Sequence, residues 1–101
     1  MIYITNLVYI LPGSESIFEE YESIVIPVIS RYGGRMLLRI RPDKPSVIQA
    51  LVEVPHEIHF VEFPSDDDFQ NFLKDEERKK FMYLKEKTIR SNFMTKGLPL
   101  Q

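Results

Sequence analysis

Tyr32-Gly33-Gly34-Arg35-Met36-Leu37-Leu38-Arg39-Ile40-Arg41 is the stretch whose reading decides the fold. A double glycine sits where a long helical pattern stops, and an alternating apolar and basic pattern begins at once, so the chain passes from helix to strand without spare residues. One of Gly33 and Gly34 is expected in the left-handed conformation that closes a helix. In the strand, Met36, Leu38 and Ile40 alternate with Arg35, Leu37, Arg39 and Arg41. That parity predicts one core face and one face that is polar or lines a cavity.

Upstream of the corner, Ile17, Phe18, Tyr21, Ile24, Val25, Val28, Ile29 and Tyr32 recur at helical steps and form one apolar stripe that must lie on a sheet. Ser14 or Ser16 is the expected cap; Ser16 and Glu19 have capping-box spacing. Pro27 removes a backbone donor inside the run and should bend the helix, and Ile26, off the stripe, is expected to be exposed or at a subunit contact. Before Pro12-Gly13, residues 2–11 read as a strand with Ile2, Ile4, Asn6, Val8 and Ile10 on one side and Tyr3, Thr5, Leu7 and Tyr9 on the other.

Downstream, residues 46–56 are too apolar for a solvated loop and are expected to be extended, as an irregular edge or a subunit arm. Residues 57–63 read as a third strand, with His59, Val61 and Phe63 opposite Ile58, Phe60 and Glu62. Ser65 caps a helix whose first turn holds Asp66, Asp67 and Asp68; a second helical piece follows Asp75-Glu76-Glu77, and residues 92–95 are the expected last strand. Strand, helix, strand, strand, helix, strand is the split arrangement of the ferredoxin-like fold: α+β, βαββαβ, with an antiparallel sheet.

The 101 residues are read as a single domain spanning 1–101, large enough to fold without a metal or disulfide. No cysteine is present, which excludes disulfides, thiolate metal sites and a cysteine nucleophile. With 13 Lys and Arg against 15 Asp and Glu, the net charge of -2 supplies no global attraction to nucleic acid or an anionic membrane. Residues 2–11 lack a basic leader and meet Pro12-Gly13, so neither a signal peptide nor a membrane span fits, and a cytoplasmic location is expected.

Two resemblances follow from these motifs. Ile2-Tyr3-Ile4-Thr5-Asn6-Leu7 and Phe60-Val61-Glu62-Phe63 are similar to strand motifs of the RNA recognition motif, whose aromatics stack bases. Against an RNA partner stand His56, Glu57 and Ile58 where that family has a basic residue, a glycine and an aromatic, and the acidic net charge. The second resemblance covers nearly the whole chain. Phe18-Glu19-Glu20-Tyr21 followed by Pro27, the corner with Arg35 and Arg39, and Val61-Glu62-Phe63-Pro64-Ser65 before an acidic helix start together resemble domain of unknown function 1330. That family belongs to the dimeric α+β barrels, so the resemblance implies two ferredoxin-like sheets paired face to face in a homodimer. It implies no reaction.

With no metal-ligand spacing, phosphate-binding glycine loop or nucleophile motif, a site has to be assembled from strand parity. His59 shares its face with Val61 and Phe63, and is expected to meet Asn6 in a pocket between sheet and helices; a hydrogen-bonded core histidine is the plainer alternative. Arg39 and Arg35, with Arg41, can hold a carboxylate or phosphate, or else pair with Glu57 and Glu62 across strands. Asp66, Asp67 and Asp68 point in different directions on a helix and are explained by its dipole, so neither metal nor cofactor is expected. The expected activity is to bind or transform a small organic molecule without a metal. The alternative is a dimeric ligand-sensing or interaction module. In either case the face carrying Tyr3, Leu7, Leu37, Ile58 and Phe60 is too apolar for solvent and is expected to pair with a second copy.

Overall fold

The computed structural model describes residues 1–100. Four strands, β1 (Ile2–Ile10), β2 (Arg35–Ile40), β3 (Glu57–Phe63) and β4 (Ile89–Gly97), form one antiparallel sheet in the order β2-β3-β1-β4. The helices α1 (Glu15–Val25), α2 (Asp66–Leu73), α3 (Glu76–Lys80) and α4 (Met82–Thr88) complete the ferredoxin-like α+β arrangement that the element order predicts. No helix among the described residues is long and apolar enough to cross a membrane.

The core lies between one sheet face and the helices. Ile2, Ile4, Val61 and Phe63 from the sheet meet Tyr21, Val25, Val28 and Ile29 from the first helical stretch and Phe69, Phe72 and Leu84 from the second. Pro27 has no N–H to continue α1, and the chain tightens there into a 3-10 turn spanning Ile26–Tyr32. The stripe keeps its register, so Val28 and Ile29 stay buried. Ile26 is neither exposed nor free: it packs on the core cluster, because the tighter winding turns it inward. Gly33 takes the left-handed conformation, φ 74°, and closes the turn with its N–H on Ile29 and Ser30. At the start of α1 no capping box forms; Ser14 holds the cap position and its hydroxyl donates to the Leu11 carbonyl at 2.6 Å and the Thr88 carbonyl at 3.2 Å. Ser65 caps α2 as its sequence predicts, accepting from the Asp68 N–H at 3.2 Å.

The simple parity expected for the second strand is broken. Met36 pairs with Val61 and Leu38 with Phe60, so the register shifts between Met36 and Leu38 as in a β-bulge. After the bulge, Arg39 pairs with His59 and Ile40 with Ile58. Met36 therefore faces the helices while Leu38 and Ile40 join the opposite face, and Arg39 turns toward the helices. The uncovered face carries Tyr3, Leu7, Phe60 and Phe93, with Tyr3 and Phe60 stacked at 5.6 Å.

Residues 47–56 form no regular strand; Ile48 and Leu51 are 101% and 93% exposed. The molecule measures 38 × 35 × 16 Å, a slab with one uncovered side. Its accessible surface is 6669 Å², against about 6,000 Å² for a monomer of this mass.

Candidate functional site

A cavity of about 90 Å³ lies between the sheet and the helices. Asn6 of β1, His59 of β3 and Asn92 of β4 form its polar floor, while Tyr21 and Glu22 of α1 face it from the helix layer. Arg78 of α3 and Lys85 of α4 line it as well. Drug-sized pockets run to roughly 300–1,000 Å³, so this one suits only a ligand of a few heavy atoms.

Beside the cavity, Glu57 is buried and collects every neighbouring donor. Arg39 Nε donates to Oε1 at 2.8 Å, Arg39 Nη2 to Oε2 at 3.1 Å, and His59 Nε2 to Oε1 at 2.7 Å. Arg41 Nη2 bridges Glu57 to Glu19 of α1. Burial works against the charge, but the hydrogen bonds from His59, Arg39 and Arg41 hold the Glu57 carboxyl well below the ordinary carboxylate range. An ionised carboxylate only accepts, so His59 presents an N–H to Glu57 from Nε2.

Glu22 has the opposite environment. It is buried, and His59 Nε2 stands 4.0 Å away, beyond hydrogen-bonding distance. Desolvation pushes the Glu22 carboxyl up to about 7; His59 and Arg39 oppose the shift, and Glu57 and Glu19 add to it. Two buried carboxyls near one imidazole are thus driven apart, one locked as an anion and one poised to exchange a proton near neutrality. The donor atoms of Glu22, Glu57 and His59 all lie within 4.8 Å of one another. Glu57 is nevertheless already filled by two guanidinium groups that repel a cation, so this donor set suits a closed ion-pair network better than a metal ion.

Of the residues singled out from the sequence, Asn6 and His59 are cross-strand partners and both line the cavity. They do not form the hydrogen bond with each other that the plainer alternative allows: Asn6 Oδ1 accepts from Asn92 Nδ2 at 3.2 Å, and His59 is held by Glu57. Arg39 stands behind His59, committed to Glu57. Arg35 lies on the other face, where its Nε donates to the buried Glu62 at 2.6 Å, so it is not brought to the cavity. His56 is half-buried edge-on to Phe18 at 5.4 Å, away from the site.

Glu22 was missed, and Glu57 was expected only as an ion-pair partner of the strand arginines, which it is, although both had a signal as site residues. Glu22 falls on the stripe, four residues after Phe18 and three before Val25, and Glu57 shares strand parity with His59, Val61 and Phe63. A carboxylate at an apolar position is the mark of a buried site.

No protein-family model matches the sequence, and no curated protein does. Solved structures do share the fold. A protein of unknown function from Rhodopseudomonas palustris superposes with a TM-score of 0.81 at 18% identity, over 99% of this chain and 82% of that one. An uncharacterised NIPSNAP domain protein from Burkholderia xenovorans gives 0.73 at 10% identity, over 99% and 95%. A dabb family protein with a ferredoxin-like fold from Mesorhizobium loti gives 0.69 at 13% identity, over 99% and 97%. These likenesses establish the ferredoxin-like fold.

Proposed function

We propose that this protein is a homodimer that binds a small organic molecule in the sheet–helix cavity and exchanges a proton with it through Glu22 and His59. One observation carries the reading: a buried carboxyl pushed up to about 7 beside an imidazole, both at the wall of one cavity. A packed core gains nothing from placing these groups together, whereas a general acid–base pair needs a group that titrates near the working pH. The His59 ring and the Glu22 carboxyl are the exchanging groups; Glu57, with Arg39, orients the ring.

The test is a screen of small organic molecules by thermal shift and ligand-observed NMR against the wild type, Glu22→Gln and His59→Phe. Ligand stabilisation lost in both variants, with the oligomer intact, supports the site. A ligand that stabilises all three chains equally overturns it, and Glu22→Gln keeps the test valid where His59→Phe fails to fold.

The small cavity volume favours a second reading, a dimeric sensing module that binds without chemistry. Recovery of every bound ligand unchanged, with no solvent deuterium in its carbon positions, selects that reading.

A further inference from the structure

Arg78 and Lys85 take no part in the acid–base pair, yet both line its cavity. The other arginines of the chain are matched: Arg31 pairs with Asp75 and Glu77, Arg35 with Glu62, Arg39 and Arg41 with Glu57 and Glu19, and Arg90 with Glu53. Arg78 and Lys85, among the described residues, form no ion pair. Arg78 is held in place by neutral groups, with its guanidinium over the Phe72 ring at 5.3 Å and Nη1 donating to the Leu73 carbonyl at 3.0 Å. Lys85 is half-buried, and both desolvation and the charge of Arg78 push its ammonium down from its ordinary value. Lys85 loses solvation here and feels the charge of Arg78 across a wall that both line, and an anion at that wall offsets this.

The rest of the lining sets what the anion is attached to. Val25, Ile29, Val61 and Phe63 make most of the wall apolar, so a bare inorganic ion has nothing to cover them. Glu22 and His59 line the same cavity. We infer that the cavity takes a small organic monocarboxylate, its carboxylate held by Arg78 and Lys85 and its carbon chain laid along the apolar wall toward Glu22 and His59. This rests on the sheet–helix cavity being the binding site, and it names the ligand class. Arginine suits the task because its fork matches a carboxylate's two oxygens, and the Phe72 ring lies beneath the guanidinium.

The experiment compares butyrate, butyramide and butylamine, with sodium sulfate as the inorganic anion, at constant ionic strength, by thermal shift and ligand-observed NMR. Butyrate is expected to bind at least about tenfold more tightly than the amide or the amine, since only it forms charge-assisted bonds to both cations. Arg78→Gln and Lys85→Gln should each weaken butyrate by about tenfold and leave butyramide unchanged; Lys85→Gln serves where Arg78→Gln disturbs Phe72. Equal binding of butyramide and butyrate, or butyrate binding untouched by both variants, overturns the carboxylate site while leaving the cavity as the binding site. Sulfate binding as tightly as butyrate overturns the organic-acid class. Binding of none of the probes overturns the inference outright, and the cavity reading then stands or falls on the Glu22 and His59 screen.

Discussion

Glu22 is the residue on which the proposed proton exchange turns. Its ordinary value of 4.5 applies in the unfolded chain, and burial raises it to about 7 in the folded one. Between those two values the folded protein holds a proton that the unfolded chain has released. Stability from this group is therefore fully present below about pH 4.5 and lost as pH rises through about 7, a change on the order of 3 kcal/mol. Glu57 acts in the other window: its depressed carboxyl contributes stability above the ordinary carboxylate value, lost as the solution becomes more acidic. Glu22→Gln should remove the fall between about pH 5 and pH 7 and leave the variant more stable than the wild type at about pH 8. Urea unfolding across that range checks it, and parallel curves for the two chains would mean that Glu22 ionises as it does in water. His59 and Asn6 were legible because strand parity is a local rule. Glu22 was not read, and Glu57 was read only as a partner for the strand arginines, since an acidic residue late in a helix or at a strand end is ordinarily solvated, and only the register of its neighbours says otherwise.

At the scale of elements, the glycine corner joins α1 to the sheet, and its two residues do different work. Gly33 supplies the left-handed turn, and a Cβ there would also meet Pro64 Cγ at 2.9 Å. Gly34 needs no unusual backbone; a Cβ there would lie 2.6 Å from Ile29 Cγ2 and 2.7 Å from Phe63 Cε1, inside the core. Gly33→Ala is expected to cost about 1 kcal/mol through backbone strain, and Gly34→Ala about 1–3 kcal/mol through overpacking. Thermal melts should rank Gly34→Ala as the less stable; the reverse order would place the weight of the corner on conformation and not on the close approach. The helix stop, the strand start and the left-handed residue could be read from Tyr32-Gly33-Gly34-Arg35 because each has its own signal. The bulge at Leu37 could not, since alternation in Arg35–Arg41 is equally regular with or without it and only pairing to β3 decides.

For the whole molecule, the proposed homodimer has its support in the thin slab and the apolar uncovered face, and the segment 47–56 extends the same surface. Tyr9 donates to the Glu53 carbonyl at 2.9 Å, and Arg90 pairs with the Glu53 carboxylate, so the segment is tied to the end of β1 and β4. Ile48 and Leu51 nevertheless stand in solvent. The proposed homodimer would cover them, and it is expected to persist at micromolar concentration in sedimentation. Ile48→Glu with Leu51→Glu should weaken it at least about tenfold without lowering helix content, because neither side chain touches the chain's own core. A stable wild-type monomer at that concentration would sink this account of the uncovered face. The bulge in β2 bears on inheritance as well as on shape. Loss of the single codon for Leu37 removes only the extra residue: Met36, Leu38, Arg39, Ile40 and Arg41 then alternate plainly and keep the faces and partners they already have. A residue gained between Leu38 and Arg39, with the bulge kept, instead turns Arg39 and Arg41 away from the helices, and Glu57 would then be a buried anion without its guanidinium partners, at a cost of about 3–5 kcal/mol, a large share of a small domain's total. Among descendants of this chain, gaps are therefore expected at Leu37 as well as in the 47–56 segment, and insertions in that segment but not between Leu38 and Arg41, where one added residue turns the end of the strand inside out.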